Sequence, residues 1–393
     1  MASPQGKIST GLINTFVCVT LLLLSGCAAP VSKYKSATKS EIDAEIRLQK
    51  EMAYQAFHNE GKYLENISFQ LLRANADLCT NTALEYGFTI WNINSFKKND
   101  EHREIAEKLY GLNHLFQINQ VYQHTDAQTA RIQTGDKIIA INDIDVSRKS
   151  VDFKDVYKAF SKTGSSRPTK ILLLRDDKEI ETTTTPYSVC NYPLRYDYYD
   201  DDINAYANGR QVIVTRGFYK FVKTPEELGM AIGHEIGHNI MRHNKKKQGN
   251  RNLGALANYI LYNTMKAADY RLPNFVYDGI TMQAQRVNSV NFEREADYIG
   301  IYFAERAGYD TTDSIAFWRR MSVEVSAEGI DKRSSHPANA ERFVYLQKTI
   351  NEVAEKRKNG LPLIPEINWD KTSEQDIHFK RPESEKERAA TDE

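Results

Sequence analysis

TPEELGMAIGHEIGHNIMRH, residues 224–243, carries both the clearest helix signal of the chain and its clearest chemical motif. Thr224 is a preferred N-cap residue, and Pro225 suits the first helical position. Glu226 and Glu227 then place negative charge in the first turn, where the helix dipole favours it. Apolar residues follow at every fourth position: Leu228, Ile232, Ile236 and Ile240. The stretch therefore predicts a helix that packs one apolar stripe into a core.

The HEIGH motif inside this helix has the spacing of a metal site. His234 and His238 lie one turn apart, so both imidazoles can bind one ion while Glu235 projects beside it. Neutral imidazole nitrogen suits zinc, and two histidines leave room for a third protein ligand and a water. The alternative is a chance match on a surface helix, which the capped and striped context disfavours. We predict one Zn²⁺ per chain, with Glu235 as the general base.

A third ligand is available in NFEREAD, residues 291–297. Glu293 and Asp297 lie one turn apart on a second predicted helix that ends near Gly308. Glu293 can complete a site of two histidines and one carboxylate, while Asp297 can orient a ligand histidine through its other ring nitrogen. The alternative is a solvated helix face, where charged residues usually lie.

These motifs, followed by Ser335-His336-Pro337 and Arg342, resemble the HtpX-like and BepA-like zinc metallopeptidases. The same family includes the CaaX prenyl proteases and the mitochondrial inner-membrane stress protease. The resemblance covers about residues 191–350. It implies three zinc ligands and a general base: His234, His238, Glu293 and Glu235. It also implies that His336 and Arg342 lie near the metal, where a histidine can stabilise the oxyanion or close off the zinc.

Two further expectations concern the surroundings of this site. In related enzymes a strand before the motif helix pairs with the substrate backbone, and residues 211–215 are the candidate; a plain hairpin strand is the alternative. His243 would lie about 140° round a continuous helix from His238. It is therefore predicted to be a surface residue or a support for the ligands.

The amino terminus resembles a bacterial lipoprotein signal. A basic residue and a short apolar run lead to Leu24-Ser25-Gly26-Cys27, so residues 1–26 are predicted to be removed and Cys27 to be acylated. Ala28 is compatible with outer-membrane sorting. An ordinary secretion signal that happens to end in a cysteine is the alternative. We expect a periplasm-facing protein tethered by lipid, without a later run long enough to span a bilayer.

Composition excludes one class of partner and leaves two cysteines to explain. The 393 residues balance 52 basic against 52 acidic side chains, which gives no electrostatic case for nucleic acid. Of the four cysteines, Cys79 and Cys190 fall in the predicted folded part. In an oxidising compartment they are candidates for a disulfide, and two small buried hydrophobes are the alternative.

Between these cysteines the pattern changes from helical to strand-like. ARIQTGDKIIAINDIDV, residues 130–146, alternates as a strand between turns and is followed by a helix, a strand, the turn Asp176-Asp177 and another strand. This order resembles the second half of a bacterial PDZ domain, a module that binds extended peptides at a sheet edge. The loop that binds the peptide carboxylate in PDZ domains cannot be identified from the sequence, although Tyr86-Gly87-Phe88 and Tyr110-Gly111-Leu112 are weak candidates. A small β-domain without peptide affinity is the alternative.

The predicted fold class is α+β: a mainly helical, zincin-like metallopeptidase domain with a small sheet, plus an inserted PDZ-like, β-rich domain. The predicted segments are a signal (1–26), a tether with one broken or two short amphipathic helices (27–78), the PDZ-like domain (79–190), the peptidase domain (191–358) and a charged, disordered tail (359–393).

The predicted function is proteolytic quality control of extended or misfolded envelope polypeptides. The alternative is a chaperone or assembly factor that binds envelope proteins through the PDZ-like domain and cleaves little.

Overall fold

The computed structural model describes residues 32–162, 164, 167–267, 273, 276, 289–325 and 340–383. The predicted signal, Cys27 and His336 lie outside the described residues. Within them, no helix combines the length and apolarity that crossing a bilayer requires.

The described chain folds as an α+β structure. Its helices are α1 (Lys39–Ala74), α2 (Glu101–Tyr110), α3 (Asp126–Thr129), α4 (Phe153–Ser161), α5 (Arg216–Phe221), α6 (Pro225–Ile240), α7 (His243–Ala267), α8 (Ser289–Arg306), α9 (Ser314–Val325) and α10 (Ala340–Lys358). Its strands are β1 (Thr82–Glu85), β2 (Phe88–Trp91), β3 (Gln117–Val121), β4 (Lys137–Ile141), β5 (Ile144–Asp145), β6 (Thr169–Arg175), β7 (Lys178–Thr184), β8 (Tyr187–Cys190), β9 (Leu194–Asp197), β10 (Ala205–Ala207) and β11 (Val212–Thr215). Short 3-10 turns lie at Ala76–Leu78 and Ile93–Ser95.

Helix α1 runs without interruption, so the expected break near Asn59-Glu60-Gly61 is wrong. A glycine in a helix interior costs about 1 kcal/mol relative to alanine, which favoured the break. The structure holds this turn from outside, because the Tyr196 hydroxyl donates to the Glu60 carboxylate over 2.6 Å. Beyond Gly61 the helix buries Leu64, Ile67 and Leu71 in the main core.

The β-rich module contains a sheet in the order β2-β3-β4-β6-β7, with β5 paired to β4. Helix α4 contributes Val156 and Phe160 to the core of this module. Two tight turns predicted from sequence, Asn142-Asp143 and Asp176-Asp177, have positive φ at both central residues. That geometry matches the right-handed twist of the flanking strands.

A disulfide joins Cys79 to Cys190 across 111 positions of sequence. Next to it, β1 pairs antiparallel with β8, with Thr82 opposite Cys190. The two ends of the β-rich module therefore leave side by side, and both cysteines are buried in the main core.

The segment that follows Cys190 has a small sheet in the order β10-β11-β9. Strand β11 is paired antiparallel with β10 and parallel with β9, so both of its edges are occupied. The expectation that residues 211–215 pair with a substrate is therefore wrong. The edge strands of this sheet are β10 and β9, one on each side of β11.

Helices α6 and α8 cross with their backbones in contact. A Cβ atom added to Gly233 would lie 2.8 Å from the Gly300 carbonyl oxygen, and one added to Gly300 would lie 2.6 Å from the His234 nitrogen. Glycine at both positions therefore permits an approach that any side chain would block. This crossing brings the two motif helices together.

The predicted disordered tail is in part ordered, which corrects the expectation for residues 359–383. Ile377 and Phe379 are fully buried in the main core. The His378 nitrogen donates to the Ile240 carbonyl over 2.7 Å, and Phe379 forms a bridge with Cys79. Few apolar residues occur here, but they are spaced so that the chain can dock on the end of α6.

Candidate metal centre

Helix α6 begins as its sequence predicts and is buried more completely. The Thr224 hydroxyl accepts from the Glu227 nitrogen over 3.2 Å, and Pro225 occupies the first turn. Every residue from Leu228 to Ile240 is buried. The helix is therefore buried on all sides, whereas the sequence predicted a single buried face. The two candidate ligand histidines lie inside a packed core.

Three side chains converge on one point between α6 and α8. The Nε2 atoms of His234 and His238 are 3.1 Å apart, and each lies 3.4 Å from an oxygen of Glu293. Four ligands arranged tetrahedrally at the usual zinc–nitrogen distance are roughly 3.3 to 3.4 Å from one another. The donor set and its spacing therefore fit a zinc ion, and all three residues are buried.

Asp297 lies behind the first of these histidines. Its Oδ1 atom is 2.8 Å from His234 Nδ1, so it accepts the proton on that nitrogen and leaves the lone pair on Nε2. Arg342 in turn donates twice to Asp297, through Nε over 2.6 Å and through a terminal nitrogen over 2.8 Å. Burial opposes ionisation of Asp297, but Arg342 and His234 outweigh it and lower the pKa of that carboxyl.

The second histidine has a corresponding support, His243, which the sequence offered as one of two alternatives. His238 Nδ1 is 2.8 Å from His243 Nδ1, and His243 Nε2 is 2.7 Å from the carboxylate of Glu295. Burial opposes ionisation of Glu295, but the hydrogen bond from His243 outweighs it and lowers the pKa of that carboxyl. An ionised carboxylate only accepts, so His243 must carry its proton on Nε2. His238 then donates from Nδ1, and its Nε2 lone pair faces the other ligands.

His243 reaches this position because the helix ends before it. Arg242 has a φ of 55°, in the left-handed region, and α7 starts at His243. The estimate of about 140° assumed one continuous helix. His243 is fully buried, so the expectation of a surface residue is wrong. Its contact with His238 agrees with the alternative, a support for the candidate ligands.

Glu235 and Trp318 complete the surroundings of the three ligands. Glu235 is 2% exposed, and its Oε1 atom is 4.0 Å from His234 Nε2. The ring of Trp318 lies 5.1 Å from that of His234, and the Arg342 guanidinium lies 4.4 Å from the Trp318 ring centroid. The site thus has an aromatic wall, and the Glu235 carboxylate lies beside the three candidate ligands.

Arg342 was expected to stabilise an oxyanion, but its contacts favour a different role. It is 2% exposed and committed to Asp297, with a further nitrogen 3.8 Å from Glu293. These contacts make it a positioning residue that holds two acidic side chains. Trp318 and Glu295 were not among the predicted site residues, because their contacts depend on chain reversals and helix crossings.

This chain is similar in sequence to one peptidase family and to a group of mitochondrial metalloendopeptidases. Residues 184–350 match Peptidase family M48. Mitochondrial metalloendopeptidase OMA1 from Bos taurus is 29% identical over 176 residues, which cover 40% of this chain and 32% of the relative. The human protein is 28% identical with the same coverage, and the Saccharomyces cerevisiae protein is 26% identical, covering 38% of this chain and 44% of its own. The chain thus spans less than half of each of these curated relatives.

Solved structures add little. An HtrA-type protease, AlgW with a decapeptide, covers 27% of this chain and 30% of its own at 18% identity, with a TM-score of 0.22. A PDZ domain protein from Parabacteroides distasonis covers 28% of this chain and 21% of its own at 16% identity, with a TM-score of 0.21. Similarity this low carries no argument. By sequence, however, the segment that holds all three candidate ligands, the adjacent glutamate and both supports is similar to Peptidase family M48.

Proposed function

We propose that this protein is a zinc-dependent endopeptidase that cleaves extended or misfolded polypeptides. The observation that carries the proposal is the convergence of His234, His238 and Glu293 at zinc-ligand spacing, with Glu235 beside them, in a segment similar to M48 peptidases. A structural zinc is disfavoured, because among the described residues three ligands are grouped here and Glu235 would have no role.

The residues around the site divide the work of hydrolysis. A bound zinc supplies a Lewis acid that lowers the pKa of a water in its open position. Glu235 takes the proton from the attacking water and passes it to the leaving nitrogen as the peptide bond breaks. Asp297 and His243 fix the two imidazoles so that each offers Nε2. Trp318 limits the access of bulk water.

An extended substrate needs a strand to pair with. Since β11 is paired on both edges, we assign this role to the edge strand β10, which packs next to α6. The substrate backbone would then run past the ligand cluster in an extended form.

Metal removal tests the proposal directly. We expect the purified chain to digest unfolded casein, to lose this activity in a strong chelator and to recover it when zinc is restored in slight excess. Metal analysis before and after chelation should show one zinc per active chain. Casein digestion that continues unchanged after the zinc has been removed would overturn the assignment.

The His243 support gives a second expected result. Replacing His243 by phenylalanine keeps a ring against Phe292 but removes the acceptor for His238, so zinc affinity should fall about 10- to 100-fold. His243→Asn should recover much of the affinity, because its carbonyl oxygen can accept in place of Nδ1. Affinity is measured by competition with a coloured chelator, and cobalt absorption reports the ligand geometry.

Lys246→Met is the matched control for this series, because Lys246 is on the same helix as His243 and also contacts the Glu295 carboxylate, over 3.9 Å. It should leave zinc affinity within about twofold of the parent, as expected for a partly exposed ion pair. Equal affinities for the His243→Phe and His243→Asn variants would show that hydrogen bonding at Nδ1 is unimportant.

We also propose a location: the periplasmic face of a bacterial envelope membrane, attached by lipid at Cys27. The disulfide between Cys79 and Cys190 supports an oxidising compartment. Mass spectrometry of the mature amino terminus tests this, with a diacylated or triacylated Cys27 as the expected product.

A second candidate function is peptide capture by the β-rich module without frequent cleavage. It is favoured by the cavity beside β2, an edge strand that pairs only with β3. Complementation of a null strain by the Glu235→Gln variant separates the two functions, because a capture role survives that change and an endopeptidase role does not.

A further inference from the structure

A cavity of about 390 Å³ lies beside β2 in the β-rich module. Strand β2 and helix α4 line it, and α1 contributes residues from Glu65 to Leu72. Within the described part of the chain, β2 pairs with β3 and has no partner on its other edge. An open strand edge can accept the backbone of an extended polypeptide.

Two carboxylates, those of Glu65 and Glu85, line this cavity, and Lys62 lies near the first of them. Burial raises the pKa of Glu65 to about 7, although nearby Lys62 partly opposes the shift. Burial also raises the pKa of Glu85 to about 7, and repulsion from Glu65 adds to it. Two carboxylates that repel one another in a partly apolar cavity are poorly stabilised, and a bound cation would relieve the repulsion.

Hydroxyl groups in the same cavity extend this pattern. Ser68 is 2% exposed, and its Oγ has no hydrogen-bond partner among the residues that the structure describes. Thr89 Oγ1 and one carboxylate oxygen of Glu65 likewise have no hydrogen-bond partner among the described residues. All three residues line the cavity, and each of these atoms can accept a hydrogen bond. A buried polar atom in a folded protein is normally paired, so these acceptors are available to a ligand or a water that supplies donors.

We propose that this cavity binds the lysine or arginine side chain of an extended polypeptide whose backbone lies along the free edge of β2. An ammonium group carries three donors and a guanidinium five, and neither carries an acceptor, so both match an acceptor-rich cavity. Glu65 and Glu85 would repel a carboxylate. This repulsion disfavours binding of a peptide's terminal carboxylate, which the PDZ resemblance would imply, and favours binding of basic segments.

The proposal rests on the polypeptide-binding part of the proposed function and is independent of hydrolysis. It is therefore tested in the full chain carrying Glu235→Gln, so that no probe is cleaved. The probes are fluorescent, unstructured peptides blocked at both ends, identical except for one central residue: lysine, arginine, norleucine or glutamate. Norleucine keeps the length of lysine without its charge. Binding is measured by fluorescence anisotropy at pH 8, above the pKa of about 7 of each carboxyl.

We expect the lysine and arginine peptides to bind at least tenfold more tightly than the norleucine peptide, and the glutamate peptide most weakly. The double variant Glu65→Gln, Glu85→Gln should reduce the basic peptides to the norleucine level. Glu179→Gln is the matched control, because Glu179 is exposed on β7 at the far edge of the sheet, and it should change nothing.

Four outcomes would overturn the proposal. These are equal binding of lysine and norleucine peptides, a basic preference that persists in the double variant, tighter binding of a peptide with a free carboxyl terminus, and absence of binding at millimolar peptide. The last would mean that the cavity holds water only. The comparison of peptides uses the unaltered cavity, so it remains informative even where the double variant folds poorly. Absence of casein digestion by the unaltered chain, with basic-peptide binding intact, would instead contradict the endopeptidase function alone.

Discussion

Replacement of Glu235 by glutamine is expected to lower peptide hydrolysis by about 10²- to 10⁴-fold while zinc stays bound. Glutamine keeps the shape of the side chain but cannot take a proton from water, and Glu235 is not among the three grouped ligands. The test compares initial rates of casein digestion with the zinc content of the same preparations.

Glu226→Gln is the control for this change, since it makes the same substitution in the first turn of the same helix, away from the ligands. Its rate should equal that of the parent. A Glu235→Gln protein that digests casein at the parent rate would remove the base from the mechanism. One that has lost its zinc would mean instead that Glu235 takes part in metal binding.

Replacement of Arg342 by leucine is expected to destabilise the fold by about 3 to 5 kcal/mol. Arg342 is 2% exposed and donates twice to Asp297, which is itself buried. Removing the guanidinium leaves that carboxylate without its principal partner in the core, where an unpaired charge is costly. The expected readout is a lower urea midpoint, measured in chelator so that metal release does not contribute.

Arg320→Leu provides a matched comparison. Arg320 also pairs with a carboxylate, Glu227, and also lies over an aromatic ring, that of Phe221, but its side chain is 28% exposed. Its loss should cost about 1 kcal/mol or less. Equal destabilisation by the two substitutions would contradict the view that the buried pair with Asp297 is a principal support of the site.

Much of the ligand cluster could be predicted because its signals are local. The cap at Thr224, the proline after it and the four-residue spacing of His234 and His238 act within one helix. The same is true of the turns at Asn142-Asp143 and Asp176-Asp177, where short polar side chains tolerate positive φ. Such features depend on neighbours a few positions away, so the order of residues is sufficient to specify them.

Contacts between segments that are distant in the sequence were harder to predict from it. The sequence proposed Glu293 as a ligand, but its distance to the histidines depends on the crossing of α6 and α8, which two glycines 67 positions apart allow. The break expected in α1 was wrong because Tyr196, far along the chain, holds Glu60.

The sequence by itself determined which groups are available to the candidate site: a capped helix with two imidazoles and a carboxylate on one turn, and a second helix with three more carboxylates. Only the tertiary structure decided how that chemistry is held. A reversal at Arg242 turns His243 back onto His238, and the segment around Ile377 and Phe379 docks on the core. The reason is physical: local hydrogen bonds and side-chain periodicity fix helices and turns, whereas orientation of the ligands depends on packing between residues that the sequence keeps apart.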